Sequence, residues 1–186
     1  MNQNLKSPVI LAFDYGTKRI GVAVTSDDGK YVKPLDVIKN NFDIIDVEIE
    51  NLKKNSSEPK DKQIKLLKKQ KEKKLHIFLN KVFELVSRYY PDVILIGMPS
   101  TVDKVYKKKI LKFANEIKKF LNKKKVLLDI QIINEDLTSH DGLKELNMLG
   151  FTKKNIDDLI DSYSAMYIIK TYNDKYAYDI SKETDK

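Results

Sequence analysis

The chain has 186 residues, 41% of them hydrophobic, and its 35 Lys and Arg against 27 Asp and Glu give a formal net charge of +8. That length supports one domain with a full core. The absence of cysteine excludes a disulfide framework or a thiolate metal site, and two histidines, His76 and His140, give no basis for a His-rich zinc centre.

No apolar run approaches the ~20 residues that span a bilayer, so no membrane segment is expected. The stretch MNQNLKSP before the first apolar segment lacks the apolar region of a secretory signal, so a reducing, cytoplasmic setting is expected. The basic balance favours a polyanionic partner, nucleic acid foremost. Arg19 and Arg88 are the only arginines, so lysine supplies nearly all of it. A coding bias toward A and T would produce the same lysine excess.

Residues 8–14 read as a buried strand that runs into Asp14. Tyr15, Gly16, Thr17, Lys18 and Arg19 follow, and a second strand spans 20–26. An acid on a strand beside a glycine turn suits a carboxylate that holds a metal ion against a phosphate. The plainer reading is a hairpin with a turn aspartate. Asp27, Asp28 and Gly29 form the next turn and 31–38 a third strand, which completes a meander.

Residues 51–74 carry ten lysines together with Ser56, Ser57 and Pro59. They read as a solvated insertion at about 40–75, part charged helix and part mobile, or as a basic arm that grips nucleic acid. From Leu75 the recurrence of Phe78, Leu79, Val82, Val86 and Tyr89 predicts a helix, which Pro91 and Asp92 end. Val93-Ile94-Leu95-Ile96, ending at Gly97, reads as a doubly covered parallel strand.

A helix over about 104–122 follows, with Tyr106, Ile110, Phe113, Ile117 and Phe120 on its buried stripe. Residues 126–133 read as the fifth strand, ending at Asn134-Glu135-Asp136. Thr138 or Ser139 caps the next helix, and Gly150 ends it. A last helix spans about 156–172, and 173–186 read as a frayed polar tail.

Strands alternating with helices after a meander predict a three-layer α/β fold with a mixed five-stranded sheet. In such sheets sites form at the carboxyl ends of the parallel strands. Asp14 and Glu135 stand at strand ends, and Asp161 lies on the final helix beside the small residues Ser162, Ser164 and Ala165. Small residues let a helix lie close to a sheet, which brings Asp161 within reach of the strand ends.

Two such charges at ~4 Å repel by about 4 kcal/mol at an effective dielectric of ~20. Either one carboxyl protonates or a cation sits among them. Oxygen ligands without His or Cys point to Mg²⁺ or Mn²⁺. Two such ions about 3.5–4 Å apart suit in-line attack of water on a phosphodiester. Lys18 and Arg19 are spaced to meet a phosphate, Arg19 as a bidentate fork. Thr138 serves as a helix cap or touches substrate, and His140 reads as a surface or partly buried side chain.

The run Asp14-Tyr15-Gly16-Thr17-Lys18-Arg19-Ile20-Gly21-Val22-Ala23 resembles the opening motif of the YqgF/RuvX family, whose members are Holliday junction resolvase-like proteins associated with pre-16S rRNA processing. Ile96-Gly97-Met98-Pro99 with Asp103 beyond, Asn134 to Ser139, and Asp161 to Met166 resemble its three later motifs, in family order. The resemblance implies an RNase H-like fold in a single domain over 1–172. It also implies divalent-metal hydrolysis of nucleic acid, with Asp14, Glu135 and Asp161 as metal-binding catalytic acids. Lys18 and Arg19 carry over as substrate contacts. Asn134 stands where the family has Asp, and Asp136 where it has Arg, an acid in place of a base near a phosphate.

The expected function is a metal-dependent nuclease that matures the 5′ end of pre-16S rRNA, or one that resolves Holliday junctions. A catalytically inactive nucleic-acid-binding factor in ribosome assembly is a further reading. An ATP-binding module of the actin and sugar-kinase type shares the Asp-x-Gly-Thr hairpin but needs two such domains. No heptad or large apolar stripe is apparent, so a monomer or weak homodimer is expected.

Overall fold

A computed structural model of the protein describes residues 7–54, 61–135 and 160–174. In chain order the elements are β1 (Ile10–Tyr15), β2 (Arg19–Thr25), β3 (Val32–Lys39), α1 (Asn41–Lys54), α2 (Asp61–Tyr89), β4 (Val93–Pro99), α3 (Lys104–Lys123) and β5 (Asp129–Glu135). A helix over residues 160–174 follows and is called α4. The strands form one sheet in the order β3-β2-β1-β4-β5. The first three pair antiparallel as a meander, and β4 and β5 are parallel to β1.

The predicted architecture is thus observed, and its cause lies in strands that are apolar on both faces. On β1, Leu11 and Phe13 face a core built with Phe42 of α1, Phe78 and Val82 of α2, and Ile110 and Phe113 of α3. Ile10 and Ala12 alternate to the other face and pack with Ala165, Ile168 and Ile169 of α4. Three helices therefore cover one face of the sheet and α4 the other.

The region expected to be a partly mobile insertion is helical over its described residues. α1 is not the solvated segment expected there, because Phe42, Ile45 and Ile49 recur on one face and are buried. α2 begins at Asp61 rather than Leu75. Its later half packs on the sheet, and residues 61–74 add about 21 Å of helix, at 1.5 Å per residue, with Lys71 lining a cavity beside Tyr15 at the end of β1. α1 packs antiparallel against it, with Phe42 on Phe78 at 5.4 Å and Asp46 paired with Lys71.

β5 begins at Asp129, later than the expected Val126. Lys125 turns the chain out of α3 with a φ of 60°. Val126 and Leu128 then pack against the core outside any ladder, and Leu127 is 88% exposed. Asp103 is the N-cap of α3, its carboxylate accepting from the Tyr106 N–H at 2.7 Å. The helix expected after Thr138 or Ser139, together with Asp136, His140 and Gly150, lies outside the described residues.

Candidate active site at the carboxyl end of the sheet

Asp14 continues the alternation of Ile10 and Ala12, so it belongs to the α4 face of β1. Across the β1–β2 ladder its partner is Gly21. A Cβ at Gly21 would lie 1.7 Å from the Asp161 carbonyl oxygen and 2.4 Å from its carbonyl carbon. Glycine is therefore required because the α4 backbone occupies the space of a side chain.

The β2–β3 ladder is irregular between Ile20 and Val22. Beside that irregularity the Ser162 hydroxyl donates to the Leu35 carbonyl at 2.6 Å, with Ser162 2% exposed. Ala165 is fully buried. The small residues of α4 thus lay it on the sheet, as their size predicted, and this sets Asp161 beside Asp14.

The electrostatics follow from that approach. Burial, and to a lesser extent the Asp161 carboxylate, push the Asp14 carboxyl up to about 7, while the Ser164 hydroxyl pulls the other way. That hydroxyl also lies 3.1 Å from the Ile160 carbonyl, so its single proton is shared between two acceptors. Arg19 Nε is 2.6 Å from Asp161 Oδ2, with both side chains partly exposed. Lys18 is exposed on the turn between Asp14 and Arg19.

Glu135 is the last residue of β5, paired with Pro99. The ladders place it at the same end of the sheet as Asp14, two residues beyond Ile133. Its side chain, and the whole of Thr138, lie outside the described residues. Among the described residues, no group of three His, Cys, Asp or Glu side chains is assembled. The two neighbouring carboxylates are hard oxygen donors, and burial beside Asp161 raises the Asp14 carboxyl well above its ordinary range although Arg19 pairs with Asp161. This donor set fits a divalent cation of the hard class.

The turn itself is fastened by Asn40, which the sequence pattern did not single out, and by Tyr106 from the stripe of α3. Asn40 is fully buried, and its Nδ2 donates to the Gly16 carbonyl at 2.8 Å. The Tyr106 hydroxyl donates to the Tyr15 carbonyl at 2.5 Å. Under the turn, Asp43 is 4% exposed and pairs with Lys109 Nζ at 3.2 Å. Burial and the nearby Asp43 push the Tyr15 phenol above its ordinary range. No sequence periodicity marks Asn40, whose bonds to Gly16 and Lys18 are long-range.

The profile of the RuvX family, described as Holliday junction resolvase, matches residues 8–64 and 56–175. The chain belongs to the RuvX family. The family match divides where α1 gives way to α2. Two relatives are each named "Putative pre-16S rRNA nuclease". One, from Sulfurihydrogenibium sp. (strain YO3AOP1), is 28% identical over 169 residues, covering 91% of this chain and 92% of its own. The other, from Lawsonia intracellularis (strain PHE/MN1-00), is 26% identical over 165 residues, covering 89% and 92%.

Among solved structures, T. thermophilus RuvC in complex with a Holliday junction substrate is similar with a TM-score of 0.50 and 13% identity, covering 89% of this chain and 92% of that one. At that identity the likeness is one of fold, and the fold is RNase H-like. As a member of this family the chain is a nuclease. No helix among the described residues is long and apolar enough to cross a membrane.

Proposed function

We propose that this nuclease hydrolyses phosphodiester bonds in structured RNA and trims the 5′ end of pre-16S rRNA, using Mg²⁺ or Mn²⁺. The observation that carries the reading is the approach of Asp161 to Asp14 over Gly21 at the carboxyl end of the sheet. Such a pair is costly unless positive charge neutralises it: Arg19 pairs with Asp161, and a divalent ion would serve Asp14 as well, for which a pure binding factor has no use.

Asp14, Asp161 and Glu135 would hold the ion, with Glu135 assigned by its strand position and by the family motif. A bound divalent ion would supply Lewis-acid stabilisation of charge on the phosphate and a nucleophile at neutral pH. The chain's own contribution is to fix the carboxylates on a rigid strand and a tightly docked helix. Lys18 and Arg19, on the turn after Asp14, bring positive charge to a phosphate next to the scissile one. Thr138 follows Glu135 closely and either caps its helix or touches substrate. The protein would act in the cytoplasm as a monomer or weak homodimer.

The RNA substrate follows the names of the two relatives, and the family description favours a second reading, the four-way DNA junction. The test is cleavage of a labelled 5′-extended pre-16S rRNA fragment beside a labelled four-way junction, each with Mg²⁺, Mn²⁺ or EDTA. Metal-dependent cutting of the RNA alone, lost in Asp14→Asn, is the expected result. Symmetric cutting of the junction alone would transfer the assignment to junction resolution. Equal tight binding without cutting by both proteins would leave a binding factor.

A further inference from the structure

We propose that Asn40, in the single-residue link between β3 and α1, is a positioning residue of the active site. It holds the 16–19 turn so that Lys18 and Arg19 stand beside the two carboxylates. The residue is fully buried, with two of its donors committed to the turn and its Oδ1 to the start of α1. Its Nδ2 donates to the Gly16 carbonyl at 2.8 Å, and its backbone N–H donates to the Lys18 carbonyl at 2.8 Å. Its Oδ1 accepts from the Asp43 N–H at 3.2 Å, which caps α1.

The turn needs such a fastening because it is folded tightly on itself. A Cβ at Gly16 would sit 2.4 Å from the Arg19 carbonyl oxygen. Its outward carbonyls are met from other elements, Tyr15 by the Tyr106 hydroxyl of α3 and Gly16 and Lys18 by Asn40. Asparagine carries a separate NH₂ donor and carbonyl acceptor on a stem of one methylene, so it can serve Gly16 and Asp43 at once. Aspartate lacks the donor, serine lacks the second group, and glutamine is a methylene too long. The same link places α1, and the lysine-rich end of α2 packed on it, in register with the turn.

The catalytic consequence rests on the nuclease reading above, whereas the fastening itself does not. The experiment is Asn40→Ser, which retains a hydroxyl cap for the Asp43 N–H but cannot reach Gly16. Asn40→Asp serves as the second variant, keeping size and cap acceptor while removing the donor. Two readouts are taken on the full chain: steady-state cleavage of the 5′-extended RNA with Mg²⁺, and amide hydrogen exchange.

The expected result is a kcat/KM about ten- to a hundredfold lower, through a higher KM as well as a lower kcat, since a loosened turn misplaces the phosphate contacts of Lys18 and Arg19. Exchange at the residue 40 amide, which reports the bond to Lys18, should rise about tenfold while the Asp43 amide stays protected. An unchanged kcat/KM in an active preparation, or unchanged exchange at residue 40, overturns the proposal. Equal loosening at residue 40 and Asp43 also overturns it, because that marks general unfolding of α1. If the wild-type protein cuts no RNA, the nuclease reading fails separately and the exchange at residue 40 decides the fastening.

Discussion

Gly21 and Asp161 are in backbone contact: α4 crosses β2 so closely that a Cβ on Gly21 would overlap the Asp161 carbonyl at 1.7 Å. The neighbouring atoms are backbone, so they cannot swing aside as a flexible side chain would. Gly21→Ala must push α4 off the sheet or bend β2. A loss of about 1–3 kcal/mol in urea denaturation is expected, the usual cost of overpacking. Cleavage should fall by more than the folded fraction does, because the shift separates Asp161 from Asp14. A Gly21→Ala protein with wild-type stability would show that the contact is looser than described.

Metal-free stability should fall as pH rises toward 7. The Asp14 carboxyl has an ordinary value of 3.8 and is raised to about 7 in the fold. Between those values the native state binds more protons than the unfolded chain, so stability decreases with pH. The contribution is fully present below about 4 and lost through about 7. The upper bound is ~4 kcal/mol, from about three pH units at ~1.4 kcal/mol each. In EDTA, Asp14→Asn should flatten this slope and be the more stable protein at pH 8. An unchanged slope in the variant would assign the pH dependence to other groups.

Arg19 is paired with Asp161 at 2.6 Å and stands on the turn that follows Asp14. Arg19→Ala should weaken RNA binding and lower the dependence of log affinity on log salt by about one phosphate contact. Its effect on folding should stay under about 1 kcal/mol, because the pair is partly exposed. Titration of RNA binding at several salt concentrations measures both. An unchanged salt slope would remove Arg19 from the phosphate contacts.

The Asp43–Lys109 pair is a different case, since Asp43 is 5% exposed in its side chain while Lys109 is 32% exposed. Lys109→Met leaves a buried carboxylate without its partner. A cost of about 1–3 kcal/mol is expected, below the range for a fully buried pair because Lys109 keeps solvent contact. The double variant Asp43→Asn with Lys109→Met should recover part of it in a denaturation cycle. A double-variant cost equal to the sum of the two single-variant costs would show that the pairing contributes nothing.

The residues that announce the fold are those whose pattern is local. The run from Asp14 to Ala23 carries the hairpin in its own sequence, and Val93-Ile94-Leu95-Ile96 carries the buried strand through its apolar continuity. Ser162 and Ala165 signalled the close docking of α4 by size alone. α1 was hidden because Asp43, Asp46, Glu48 and Glu50 interrupt the stripe of Phe42, Ile45 and Ile49. The first half of α2 was hidden by lysines that have no core to face.

Val126 to Leu128 misled in the opposite sense, because apolar residues that leave a helix through Lys125 pack on the core without joining the sheet. Asn40 was illegible for a simpler reason. A lone asparagine between a strand and a helix has no period, and its partners at Gly16 and Lys18 are brought to it only by the folded meander.

The central claim is that the carboxylates of Asp14 and Asp161 share a divalent cation. The most direct measurement is calorimetric titration of the metal-free protein with Mn²⁺ at pH 8, comparing wild type with Asp14→Asn and Asp161→Asn. Saturable binding in the wild type, weakened at least tenfold in each variant, is predicted. Mn²⁺ affinity equal in all three proteins would contradict the account.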